Sequence, residues 1–407
     1  MTNKDDILFF DAVDDKFERE STFKHNRSDL KSDDGENVDE QEFRNLIAKV
    51  VRQFVRRPFD NIVLLVGAGA SVVISDGDID ANFGKTVSQI SKDAEQQLEN
   101  GKYTLDNAEV EVFTLDEVID KVMYNFQVDD DDFNFEDLIS RIIHFKTFVN
   151  PKDLTKFDNT HRAIEEIIKK DTSYNYDSKF FRHAAVLKVL SNLLESGKKL
   201  NVVTTNYDTV IEEAADSISM TVFDGFSFTQ KPKFDGAMFD WNLVKDVPNV
   251  STRELIYKPS VMNLLKIHGS LTWEYDYQNN VVRQSKDFVK KPIMVFPSSD
   301  KYSQSYQQPY FDLFVKFQEL LKQPNTLLIT TGFSFADNHI SQMIISSIKA
   351  NNGLSTLVSD FKLEGTKNDN WEQLQSLKNQ HFDIAFLKAT MNGDLADYLG
   401  GNDGDNR

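Results

Sequence analysis

The sequence predicts an α/β protein, a doubly wound parallel sheet interrupted by a helical insertion. Three observations predict it. Short apolar runs without polar alternation, such as Ile62-Val63-Leu64-Leu65-Val66, suit strands buried on both faces. After residue 199 such runs alternate with helical patterns, the signature of successive βα units. Between residues 85 and 198 the pattern is helical with no clear strand.

Taken in order, residues 1–42 hold 14 acidic and 6 basic residues. That composition predicts a mostly disordered acidic arm, with at most a short anchoring turn at Ile7-Leu8-Phe9-Phe10. Such an arm either solvates the chain or binds a partner. Phe43, Leu46, Ile47, Val50, Val51 and Phe54 recur at helical spacing over 43–57, and Pro58 ends that helix. The first buried strand, 62–66, follows.

In the helical block, Phe135-Glu136-Asp137-Leu138-Ile139 lies in one segment and Phe180 to Leu194 forms another, closed by Gly197. Strands are then expected at Leu200–Thr204, Leu264–His268, Ile293–Phe296, Thr326–Thr330 and Asp383–Leu387. Helices are expected from near Asp208, at about 307–322 and at 337–349. Residues 43–84 and 199–399 thus make the sheet domain, 85–198 the insertion and 400–407 a polar tail.

The chain has 407 residues, long enough for one large domain or two, with 40% hydrophobic and 27% charged residues. A formal charge of -19 repels nucleic acid, so no direct nucleic-acid binding is expected. The absence of cysteine excludes disulfides, thiolate zinc sites and cysteine nucleophiles. The first residues carry no apolar leader, and no stretch reaches the roughly 20 apolar residues of a membrane span. A cytoplasmic protein without a membrane segment is the expectation.

Four motifs follow four of the buried strands. Gly67-Ala68-Gly69-Ala70-Ser71 turns sharply after the first, either as a simple tight turn or as bare backbone for a pyrophosphate. In the second case a following helix would aim its amides at the phosphate. Thr204-Thr205-Asn206-Tyr207-Asp208 comes next. Asp208 suits a helix cap, and Glu212 and Glu213 suit the positive end of that helix. Asn206 can both donate to and accept from a ribose hydroxyl or a water.

Lys266-Ile267-His268-Gly269-Ser270 puts an imidazole at a strand end, where a neutral ring can accept a proton. In Thr330-Thr331-Gly332-Phe333-Ser334-Phe335-Ala336-Asp337, Asp337 suits a cap. This loop either holds the adenosine half of a dinucleotide or only connects strand to helix. All four motifs are expected at one end of the sheet, where α/β folds bind ligands. Asp76, Asp78 and Asp80 form either a solvated loop or a loose cation site; no metal is expected.

In that order, the Gly67, Thr205-Asn206-Tyr207-Asp208, His268-Gly269 and Gly332-Phe333-Ser334 motifs resemble those of the sirtuin superfamily, whose fold is Rossmann-like. The Phe135 segment and the run from Gly332 to Ile340 resemble one branch, the sirtuin-like NAD-hydrolase domain of bacterial anti-phage defence systems. The resemblance covers about residues 60–345. Sirtuin deacylases carry a four-cysteine zinc ribbon and a Pro-Asp-Phe-Arg-type segment after the glycine motif. This chain has neither, which argues against protein deacylation.

The resemblance implies that NAD⁺ is cleaved to nicotinamide and ADP-ribose. It implies catalytic roles for Asn206 and His268, with Asp208 supporting Asn206. Gly67, Ala68, Gly69, Ser71, Thr205, Gly269, Gly332, Phe333 and Ser334 become the NAD⁺-binding positions. It also implies a homo-oligomer and a defence partner such as a HerA-type ATPase. The helical block and the acidic arm are the candidate docking surfaces. An NAD⁺ or ADP-ribose sensor without turnover remains the alternative. A deacylase is disfavoured by the missing ribbon. A hydride-transferring dehydrogenase is disfavoured by the missing third glycine and by the insertion.

Overall fold

A computed structural model describes residues 6–32, 34–75, 78–80, 82–128, 130, 133–247, 255–294 and 308–400. Eleven strands form the central sheet: β1 (Asp6–Asp11), β2 (Lys16–Arg19), β3 (Phe23–His25), β4 (Ser28–Asp29), β5 (Asn61–Val66), β6 (Leu200–Thr204), β7 (Thr221–Phe223), β8 (Val261–Lys266), β9 (Thr326–Thr331), β10 (Leu354–Asp360) and β11 (Ile384–Lys388). Their spatial order is β7-β8-β6-β5-β9-β10-β11-β1-β2-β3-β4. From β7 to β11 every neighbouring pair is parallel.

Strand β5 shows why apolar runs make this sheet. Ile62, Leu64 and Val66 enter the core on one face, while Val63 and Leu65 enter the core on the other. Alternate residues point to opposite faces, so a strand covered on both sides must be apolar throughout. Each fully buried Val or Leu contributes roughly 1.5–3 kcal/mol. Helices α1 (Glu40–Val55), α6 (His183–Asn192) and α7 (Val210–Ser217) supply one covering layer. Helices α8 (Tyr310–Lys322), α9 (Asn338–Ala350) and α10 (Asp369–Asn379) supply the other. The fold is the doubly wound α/β architecture that the sequence predicts.

The chain lays β6 and β8 on one side of β5 and then crosses back to place β9 on the other. This reversal is a topological switch point, and the carboxyl ends of its strands form the ligand-binding end of such sheets. The four ends are level: Lys266 pairs with Thr204, Thr204 with Val66, and Val66 with Thr331.

Several expectations need correction. Most of the acidic arm is ordered: β1 to β4 form an antiparallel meander that joins the sheet at β11. Phe9 and Phe17 are buried, and Phe10 stacks on Phe386 at 4.6 Å between ring centroids. Aromatic burial offsets the ordering entropy here, and the charges suit a sheet edge that must not pair further. Helix α1 begins at a capping box formed by Asp39 and Glu42.

The helical block has its own core, built from α2 (Val87–Leu98), α3 (Leu115–Lys121), α4 (Phe135–Phe145) and α5 (Leu154–Thr172). It also contains an unexpected hairpin, Lys102–Leu105 with Ala108–Glu111. Helix α6 falls inside the expected insertion yet packs in the sheet core through Val186, Leu187 and Leu190. Ile293-Met294 pairs with Gly269-Ser270 outside the central sheet, and Val295 and Phe296 lie outside the described residues. Strands β7 and β10 and helix α10 were not expected. Of the expected polar tail, residues 401–407 lie outside the described residues.

Candidate active site

Backbone hydrogen bonds carry the sheet ladder past the strand ends. Thr205 N–H donates to Val66 O at 3.1 Å, Ile267 N–H to Thr204 O at 3.0 Å, and Gly67 N–H to Thr331 O at 3.0 Å. Asn206 and His268 each lie two residues beyond paired positions on adjacent strands. They therefore leave the sheet from neighbouring, level points.

The glycines serve contact between two loops. Gly69 N–H donates to Gly332 O at 2.9 Å. A Cβ at Gly67 would lie 2.5 Å from that same oxygen, and a Cβ at Gly332 (φ +62°) would lie 2.1 Å from Ala70 N. No side chain fits either position. The expected helix after the glycine motif is absent. Ala68–Ser71 is one four-residue 3-10 turn, and Val72 is extended. No helix dipole is aimed at a phosphate from this turn.

Asn206 is buried and held on one side only. Its Nδ2 donates to Gly67 O at 3.1 Å and to Ser71 Oγ at 2.9 Å. Because Gly67 O can only accept, the amide orientation is fixed by chemistry. Asn206 Oδ1 is buried with no hydrogen-bond partner. A buried acceptor left unpaired is unfavourable by about 1–3 kcal/mol, so it stands ready for an incoming donor.

Asp208 anchors this network. Its Oδ2 accepts from Ser71 Oγ and from Tyr174 OH, both at 2.7 Å, and its Oδ1 accepts from Val210 N–H at 3.1 Å. The N-cap of α7 is Thr209, one residue after the expected Asp208; Asp208 instead holds Val210 N–H in the first turn and orders Ser71 beneath Asn206. Burial pushes the Tyr174 hydroxyl well above its usual range, and the Asp208 charge adds to that. Lys266 is buried at the end of β8. Its Nζ donates to Asp208 O and to Glu212 Oε1, the latter at 2.9 Å. Burial raises the Glu212 carboxyl, against the opposing pull of Lys266. Burial lowers His183 to about 4 although the Asp208 charge opposes this, so its ring is neutral at pH 7.

His268 is buried, and its Nε2 lies 3.3 Å from Asp337 Oδ2. At that separation the two groups face each other without an aligned hydrogen bond, and the contact is an ion pair only when the ring is protonated. Asp337 Oδ1 caps α9, accepting from His339 and Ile340 N–H. Gly269 turns with φ +94°, and a Cβ there would lie 2.1 Å from Ile293 O. Since β6 and β5 separate β8 from β9, the Asp337 contact requires the Gly332 loop to fold back over the ends of β5 and β6. In that loop Phe333 is buried and Ser334 exposed, while Thr330 and Thr331 keep buried, unpaired hydroxyls.

Sequence reading missed Tyr174, Lys266 and Asn392. Asn392 Nδ2 donates to Ala70 O and Val72 O, both at 2.9 Å, and so holds the glycine turn. No local pattern marks these residues, because each acts at long sequence distance. The acidic loop does not gather around an ion where it is described: Asp80 accepts from Asn82 and Ser75, and Asp76 lies outside the described residues. Among the described residues, no group of three or more His, Asp or Glu side chains could hold a metal, and no helix is long and apolar enough to cross a membrane.

No curated protein matches the chain. Residues 200–380 match the model of the SIR2-like domain, a stretch that includes Asn206, Asp208, His268 and the Gly332 loop but not the Gly67 turn. The segment that carries three of the four motifs is therefore similar to a SIR2-like domain, a family of NAD-dependent enzymes.

Proposed function

We propose that the chain is an NAD⁺ glycohydrolase that splits the nicotinamide–ribose bond. The observation that carries this reading is the buried, unpartnered Oδ1 of Asn206, whose amide nitrogen is already committed to Gly67 and Ser71. That acceptor fits a ribose hydroxyl or a water. The C1′–N bond breaks and nicotinamide leaves with the electron pair. The ribose passes through an oxocarbenium-like state, as in glycoside hydrolysis. Water adds to C1′, and His268 accepts the proton released from it or from a ribose hydroxyl. Asp208 holds Ser71, which in turn helps to hold Asn206. The Gly67, Ala68, Gly69, Ser71, Thr205 and Gly269 positions and the Gly332-Phe333-Ser334 loop line the path of the dinucleotide.

Asn206, Asp208 and His268 are all nearly sealed from solvent. A sealed site suits an enzyme whose unchecked turnover would drain NAD⁺, so the free chain is held slow until triggered. On this proposal the chain works in the cytoplasm in anti-phage defence, as a homo-oligomer beside a HerA-type ATPase or another defence partner.

The test incubates the purified chain, alone and with the product of a neighbouring gene, with NAD⁺ and follows nicotinamide and ADP-ribose. Turnover is expected in at least one condition. It should fall at least about 100-fold in His268→Ala and in Asn206→Ala. NAD⁺ binding without any nicotinamide release would instead mark a sensing module. Full rates in both folded variants would overturn the site assignment.

A further inference from the structure

We propose that Asp337 is a positioning residue for His268, holding its proton on Nε2. Its kinetic consequence rests on the hydrolase reading; its structural consequence does not. The two oxygens of Asp337 have separate tasks. Oδ1 takes the N–H groups of His339 and Ile340 at 3.0 and 3.3 Å, and Oδ2 faces His268 Nε2 at 3.3 Å. The cap therefore fixes the carboxylate plane, and the fixed plane sets the ring. The side chains of His268 and Asp337 are only 5% and 8% exposed, so little water competes for the contact.

A carboxylate can only accept. For the 3.3 Å contact to close into a hydrogen bond Nε2 must carry the hydrogen, which in a neutral ring leaves Nδ1 as the basic nitrogen. Loose contacts of this kind tighten when a catalytic site fills. Helix capping alone would explain Oδ1, but not a carboxylate whose second oxygen meets a residue from a strand three places away in the sheet.

Asp337→Asn separates the two tasks. Asparagine caps helices as well as aspartate does, so α9 and thermal stability should be kept. With its oxygen held by the cap, the new amide NH₂ faces His268 and can only donate. The ring should therefore switch to carrying its hydrogen on Nδ1. The full chain, labelled with ¹⁵N-histidine, shows this in long-range ¹H–¹⁵N correlation spectra, with the His268 signals identified by their loss in His268→Gln.

The expected result is an Nε2–H ring in the wild type and an Nδ1–H ring in D337N. In the activated enzyme, turnover should drop about 100-fold or more while KM changes little, as when an orienting carboxylate of a catalytic histidine becomes an amide. Asp337→Ser keeps a cap but cannot reach His268, so it should leave a mixture of both ring forms. An Nε2–H ring that persists in D337N, or a wild-type ring that is Nδ1–H or doubly protonated, overturns the proposal. An inverted ring with unchanged turnover removes the kinetic role. An inverted ring in a chain that never releases nicotinamide leaves the pair standing and removes the hydrolase reading instead.

Discussion

The two sides of the candidate site are built differently. On the β6 side, Asn206 is fixed by two hydrogen bonds, and Ser71, Tyr174, Asp208 and Lys266 brace it from four separate parts of the chain. On the β8 side, His268 Nε2 faces Asp337 Oδ2 at 3.3 Å without an aligned hydrogen bond. On the proposed function, the difference matches two kinds of work. A group that must present an acceptor to a ribose gains from rigidity, because electrostatic stabilisation depends on preorganised dipoles. A group that takes a proton must change charge and accommodate that change. Three substitutions test the contrast.

The largest effect is expected at Gly332, where the two sides are joined. Its backbone packs on Gly69 and Ala70, beneath Asn206, and its loop runs on to Asp337. Gly332→Ala adds a Cβ 2.1 Å from Ala70 N and strains a backbone at φ +62°. The two loops must part. Denaturant titration should show a loss of roughly 3 kcal/mol, and turnover should vanish with it. A variant of unchanged stability would mean that the sides do not depend on this contact.

That contact also shows where the sequence was legible. The four strands that carry the motifs were readable because each is a short apolar run ended by a small or polar residue, and a strand buried on both faces leaves no other pattern. Strand β10 escaped because it reads Leu-Ser-Thr-Leu-Val-Ser-Asp. Its hydroxyls are tolerated in the interior, as where Ser359 Oγ donates to Ala389 O at 2.8 Å. The β1–β4 meander escaped because its charges outweigh four phenylalanines in composition but not in packing. In the site, Asn206 and His268 were readable from their strand-end positions. The second role of Asp337 was not, because a cap accounts for the residue locally and its partner lies far away in sequence.

A smaller effect, confined to acid, is expected at His183 on the braced side. Burial lowers it to about 4, whereas the ring titrates near 6.5 when unfolded. The neutral ring is favoured by folding, so its contribution is complete above about pH 6.5. It is lost as pH falls toward 4, because the unfolded chain takes up the proton first. The loss amounts to on the order of 3 kcal/mol. Replacing the ring by leucine should flatten stability against pH across that window and leave the neutral-pH slope alone. Parallel wild-type and His183→Leu curves between pH 6.5 and 4 would show that His183 does not titrate with folding.

The smallest effect is expected at Tyr174, which follows α5 at the end of the helical block and donates to Asp208 at 2.7 Å. Tyr174→Phe removes one donor to a carboxylate that keeps Ser71 Oγ and Val210 N–H. About 1–2 kcal/mol of stability should be lost, the usual range for a hydrogen bond to a charged group. The remaining bonds still hold Ser71, and Asn206 keeps both of its own, so turnover should fall only a few-fold. A few-fold loss is what a braced side predicts, since no single support is indispensable. If instead Y174F abolished turnover while the chain stayed folded, the helical block would control Asn206 through this hydroxyl. The β6 side would then be the adjustable half of the candidate site and the Asp337–His268 pair the fixed one.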